Sequence, residues 1–128
     1  MKKLLISLTL LLSVGLLHAQ TEEQKVKDVL STYKSALEKL DVKGTDALFV
    51  ANSQIIESGK VEGTYQEYLA HHIGPELGDF TSFKYDPYNV VVTVTGDYAF
   101  AVETYNYTII LKKDNSGDVQ LHHYPEER

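Results

Sequence analysis

Cysteine is absent from this 128-residue chain, which excludes disulfide staples, thiolate metal ligands, cysteine nucleophiles and a lipid-anchoring cysteine together. Basic residues are scarce: 12 Lys and Arg stand against 18 Asp and Glu, a net charge of −6. That is the wrong sign for gripping a phosphate backbone or an anionic membrane surface, so nucleic acid is not an expected partner. Also missing are a glycine-rich phosphate loop, a Gly-x-Ser-x-Gly elbow and a His-Glu-x-x-His helix, and no cofactor is expected. No repeat, low-complexity tract or interdomain linker interrupts the chain, whose length suits one domain. The composition itself is ordinary, with 43% apolar and 23% charged residues, as in chains that bury a core and fold.

Long apolar runs are confined to Leu4 through Leu17, behind the basic start Met1-Lys2-Lys3. This is a secretory leader pattern. As a helix the run rises about 21 Å, short of the roughly 30 Å hydrocarbon core, which argues against an uncleaved anchor. Cleavage is expected after Ala19 of Leu17-His18-Ala19, which separates a signal peptide, residues 1–19, from a mature domain, residues 20–128. Losing Lys2 and Lys3 takes the net charge from −6 to −8. The mature domain is expected in the periplasm or the medium, with no stable membrane anchor.

Thr21 with Gln24 three residues on is a capping-box pattern, and Val26, Val29, Leu30, Tyr33, Leu37 and Leu40 follow at helical spacing. A helix to about Leu40 is predicted, then a short one capped by Thr45. Gln54 to Glu57 reads as a strand, Ser58-Gly59-Lys60 as a turn, and a return strand ends at Gly63. Thr64 with Glu67 is a second capping box, opening a helix that Gly74-Pro75 should stop. From Phe80 the period becomes two, through a Gly96-Asp97 turn and a second run from Tyr98 to Leu111. After a turn at Asp114 to Asp118, only Val119 to His123 can extend before Pro125.

If Gly96 and Asp97 form a two-residue loop, Thr95 pairs with Tyr98, Val94 with Ala99, Val92 with Ala101, Val90 with Glu103 and Tyr88 with Tyr105. The face holding Tyr88, Val90, Val92, Val94, Ala99, Ala101, Glu103, Tyr105, Tyr107, Ile109 and Leu111 is the more apolar and should meet the helices. The other face carries Val91, Phe100 and Val102 among threonines, which suits a half-exposed surface or a sheet-to-sheet homodimer contact. Glu103 is the one charged group in the inner stripe. It must be hydrogen-bonded, protonated, turned to a solvated cavity, or simply reach water at the mouth.

This order of elements, with Asp46-Ala47-Leu48-Phe49, Glu57-Ser58-Gly59, Gly63-Thr64-Tyr65 and above all His71-His72-Ile73-Gly74-Pro75-Glu76-Leu77, resembles the SnoaL-like branch of the nuclear transport factor 2-like superfamily. Tyr98-Ala99-Phe100-Ala101 with Glu103-Thr104-Tyr105 belongs to the same likeness, which spans Val26 to Lys113 and points to a group of small exported bacterial proteins. The resemblance implies an α+β fold: a cone-shaped half-barrel of curved antiparallel sheet packed on three helices from the N-terminal half. It also implies a homodimer, and acid–base lyase or isomerase chemistry on small hydrophobic substrates. Relatives continue through further strands, whereas this chain stops about fourteen residues after Asp114. A truncated end and a naturally abbreviated one both fit, and either leaves the last strand missing and a sheet edge unpaired.

Within that frame the expected cavity is lined by Glu57, Tyr65, Tyr68, Leu69, His72, Val90, Val92, Ala101, Glu103 and Tyr105, and its ligand is a small hydrophobic molecule. His72 or Glu103 could move a proton while Tyr105 or Tyr68 stabilises an oxyanion. Adjacent His71 and His72 diverge by about 100° on a helix and cannot chelate one ion together. A metal would need His71 or His72 with Glu57, Glu103 or a later strand. His122 and His123 alternate across a strand and suit this less. Glu57, His72 and Glu103 are expected to approach one cavity, with Glu103 on its floor.

Overall fold

A computed structural model of the chain describes residues 21–113 and the backbone of 121–124. The predicted leader, the predicted turn at 114–118 and the side chains of His122 and His123 lie outside the described residues.

Helix α1 (Glu22–Glu38) starts where the Thr21 hydroxyl accepts the Gln24 amide at 3.2 Å. The box is one-sided: the Thr21 hydroxyl is bonded, whereas the Gln24 side chain donates forward to Asp28 and the bond it would accept from the Thr21 amide is not made. The helix ends two residues short of Leu40, which takes a left-handed φ of 56°. Leu40 then donates to Leu37 O and Asp41 to Ala36 O, the paired bonds of a Schellman ending. A 3-10 turn follows (Thr45–Leu48). Its cap is Gly44, at φ 80°, and not Thr45 as expected. Thr45 is buried instead, donating to Val42 O and meeting the Tyr65 hydroxyl.

Strands β1 (Ile55–Glu57) and β2 (Lys60–Gly63) form the small hairpin. Ser58 and Gly59 both have positive φ, which makes a two-residue turn and leaves Lys60 in the strand opposite Glu57. Helix α2 (Tyr65–Tyr68) opens with both halves of the Thr64/Glu67 box made. Gly74-Pro75 does not stop it. The chain widens into a π turn (Leu69–Ile73), in which Gly74 donates to Leu69 O five residues back, and continues as α3 (Gly74–Leu77). Inside an α-helix Pro75 would lose a bond and collide with the preceding turn. The extra residue in the π turn places it at the start of a new helical turn, where a missing N–H costs nothing.

Strands β3 (Phe80–Thr95), β4 (Tyr98–Leu111) and β5 (Leu121–Tyr124) form an antiparallel sheet in that order. From Thr95↔Tyr98 to Tyr88↔Tyr105 the register is the one the Gly96-Asp97 turn predicts. Beyond it a bulge intervenes: Tyr88 faces Tyr105 while Tyr85 faces Tyr107. The cis Asp86-Pro87 peptide lies inside this bulge, one of the few sheet positions open to proline. The bulge switches the inward set from Tyr88, Val90 and Val92 to Tyr85 and Phe83.

The core is Leu37, Ile73, Leu77 and Phe83, with Tyr33, Leu40, Tyr68, Leu69, Phe80, Tyr85, Tyr107 and Ile109 packed around it. It therefore sits at the base of the long hairpin. Toward the tip, Val90, Val92 and Val94 are half-buried, but Ala99 and Ala101 are exposed, because α1 packs over β3 far more than over β4. Helices on a curved antiparallel sheet are the α+β architecture that the sequence led us to expect. Among the described residues, no helix is long and apolar enough to cross a membrane.

Candidate functional site

Two sides of the core enclose a cavity of about 190 Å³. Tyr33 and Leu37 of α1 and Tyr68 and Ile73 from the π-turn helix form one wall; Phe80, Phe83, Tyr85, Tyr105, Tyr107 and Ile109 of the sheet form the other. Among the described residues, Glu57 and Glu76 are its only charged lining. Two larger grooves, of about 500 and 490 Å³, run along the outside of α1, but they are more open and lack such an aromatic wall. The rings interlock: Tyr85 meets Tyr105 edge to face at 4.8 Å, Phe83 meets Tyr107 edge to face at 5.5 Å, and Tyr85 lies tilted against Phe83 at 4.8 Å. Burial raises the phenols of Tyr33, Tyr68 and Tyr85 above their ordinary values, so they stay neutral. The negative charges of Glu57 and Glu76 add to the effect at Tyr68.

At the rim stands His72, with three carboxylates around one ring. Nδ1 lies 3.2 Å from Glu62 Oε2, and Nε2 lies 3.3 Å from Glu57 Oε2 and 3.1 Å from Glu76 Oε1. The bond to Glu62 and the surrounding negative charge raise the imidazole's affinity for a proton, against the opposing effect of burial. The Tyr68 ring is 4.9 Å away. Four elements thus meet here: β1, β2, the π turn and α3.

The structure brings Glu57 and His72 together and places Glu57, Tyr68 and Tyr105 in the cavity wall. It places the other expected lining residues elsewhere. Tyr65 is only 2% exposed and stacks on Phe49 at 3.6 Å, a core position beneath the cavity. Leu69 packs against the core from behind. Val90, Val92 and Ala101 lie beyond the bulge, toward the hairpin tip, and do not line the cavity. Glu103 is half-buried on the inner stripe and accepts the Tyr88 hydroxyl, so it is hydrogen-bonded within the sheet and is not the floor below His72. His71 is exposed, on the side of Glu67.

Glu62 and Glu76 escaped the sequence reading, although signals for both exist. Glu76 is four residues after His72, and the two-residue turn puts Glu62 on the same face of the small hairpin as Lys60 and its partner Glu57.

Compared with solved structures, the chain superposes on a candidate dehydratase of the NTF2-like family from Streptomyces avermitilis, with a TM-score of 0.63 and 19% identity over 78% of this chain and 77% of that one. An NTF2-like superfamily protein from Salmonella enterica serovar Typhimurium gives 0.54 and 17% over 79% and 72%. The chain has a nuclear transport factor 2-like fold. A candidate ketosteroid isomerase from Shewanella frigidimarina is also similar, with a TM-score of 0.45 and 24% identity over 73% and 87%. No family model matches the sequence, and no curated protein matches it. In NTF2-like terms, the cavity occupies the space between helices and curved sheet.

Proposed function

We propose that this chain is an exported binding protein that holds a small, largely apolar molecule in the tyrosine-walled cavity. The observation that carries the reading is the wall itself: interlocked aromatic rings with neutral hydroxyls and two carboxylates at one end, the makeup of a ligand pocket. At about 190 Å³ the cavity is below the usual range of about 300–1,000 Å³, so the ligand is a small one. Placement in the SnoaL-like branch, on the His-His-x-x-Pro-Glu-Leu element, is part of the same proposal. A thermal-shift screen of the mature domain against hydrophobic metabolites, phenols, steroids and polyketides tests it. Stabilisation by one class, lost in Tyr105→Ala, is the expected result; no stabilisation of a verified folded sample would count against it. Export is checked by sequencing the N-terminus of protein recovered outside the cytoplasm, which should begin at Gln20.

A second reading is acid–base lyase or isomerase chemistry. It is supported by the Glu57 carboxylate and the Tyr68 phenol, which share the cavity wall, the carboxylate's charge helping to hold the phenol neutral. Turnover abolished by Glu57→Gln with folding intact would favour it over simple binding.

A further inference from the structure

The hydrogen bond from His72 Nδ1 to Glu62 sets the chemistry of the opposite nitrogen. If Nδ1 carries the proton for Glu62, Nε2 turns a lone pair toward two carboxylate oxygens, an arrangement that only a cation between them makes favourable. A proton is one such cation, and a metal ion that displaces it is the other. Here the separations are 3.3 Å to Glu57 and 3.1 Å to Glu76. Ligand bonds of about 2.0–2.2 Å in a tetrahedral site put neighbouring donor atoms about 3.3–3.6 Å apart, close to the spacing of Nε2 from each of these two carboxylates. Donor atoms of Glu57, Glu62 and His72 all lie within 4.8 Å of one another.

We propose that the rim of the cavity is a divalent transition-metal site, with His72 Nε2, Glu57 and Glu76 as ligands and Glu62 as the outer carboxylate that orients the ring. One imidazole with carboxylates is a zinc-type donor set. The i, i+4 spacing of His72 and Glu76 supplies two ligands from one helical segment, and the Glu57 end of β1 supplies the third from across the hairpin. A carboxylate behind a ligating histidine fixes its tautomer and raises its basicity, which is the part Glu62 plays. Binding would displace any proton on Nε2 to the buffer and place the ion beside the cavity mouth.

The test is isothermal titration of chelator-treated mature protein with zinc chloride at neutral pH, with the histidine ring resonances followed in parallel. One saturable equivalent that perturbs the His72 ring is expected. His72→Gln and Glu57→Gln should each weaken binding at least tenfold, Glu62→Gln roughly tenfold or more, and His71→Gln not at all. Circular dichroism melts of each variant report whether the fold survives. Absence of saturable binding by the unmodified chain, or binding unchanged in folded His72→Gln, would overturn the proposal. The site shares Glu57 and Glu76 with one end of the cavity, and the organic-ligand screen in metal-free buffer tests the cavity reading separately.

Discussion

The hydroxyls of Thr45 and Tyr65 lie 2.6 Å apart in a buried contact that ties the 3-10 turn to α2. Thr45 already donates to Val42 O, so the tyrosine supplies the shared proton. Tyr65→Phe keeps the stacking on Phe49 and leaves the Thr45 hydroxyl one partner, so a loss of about 1 kcal/mol is expected in urea unfolding. A second polar link, half-buried, runs from α1 to the bulge. Burial would raise the Glu38 carboxyl, but the Lys34 ammonium at 2.8 Å and the Tyr85 amide at 3.1 Å outweigh it and hold the group below its usual value. A carboxyl depressed in the folded chain adds stability above its unfolded value, and that stability is lost as pH falls through the folded one. Glu38→Gln should therefore cost about 1 kcal/mol at neutral pH. The two proteins should converge in stability in acid, once the pH has fallen below the depressed value of the folded carboxyl. Urea titrations at several pH values check this, and a difference that persists in acid would point to packing instead of charge.

Between helix and helix, the π turn decides where His72 stands. Gly74 is packed against the Leu69 carbonyl so closely that an added Cβ would fall well inside contact distance of backbone oxygen. Gly74→Ala should thus destabilise the domain by about 2 kcal/mol or more and move His72 away from Glu76. Thermal melts report the first, and the His72 ring resonances the second. This turn also marks what a sequence can and cannot disclose. Caps and two-residue turns are local chemistry, so Thr64 with Glu67, and the register counted out from Gly96-Asp97, were legible in advance. The widening at Leu69–Ile73 and the bulge at Asp86-Pro87 were not, because in each the proline is accommodated by a shift of its neighbours that no periodicity announces. The site inherits this division. Glu57 and His72 were readable as a pair, whereas the cavity's sheet wall, from Phe80 to Tyr85, lies past the bulge, where extrapolating the register puts the wrong residues inside.

For the molecule as a whole, the sheet's outer face leaves Val91, Phe100 and Val102 about two-thirds exposed, at 67%, 69% and 66%. They share one side of the hairpin near its tip, since Val91 pairs with Val102 and Thr93 with Phe100. We propose that two copies of the chain meet through this face, as apolar clusters on sheets tend to be covered. Light scattering at micromolar concentration should give twice the monomer mass, and Phe100→Lys should halve it while leaving the fold intact. A monomer in the unmodified protein would refute the proposal.

The bulge in β3 gives the long hairpin a parity. Odd-numbered residues point inward before it, as Phe83 and Tyr85 do, and even-numbered ones after it, as Tyr88, Val90 and Val92 do. Removing one residue between Tyr85 and Tyr88 would erase the bulge, set the two tyrosines two apart opposite Tyr107 and Tyr105, and leave the distal faces where they are. Removing two would make Tyr85 and Tyr88 neighbours on opposite faces and so exchange the two sides of everything distal. Val91 and Thr93 would then turn toward α1 and the valine stripe toward water. In this segment the chain should therefore tolerate the loss of one residue and reject the loss of two, a rule set by one unpaired residue and independent of which side chains surround it.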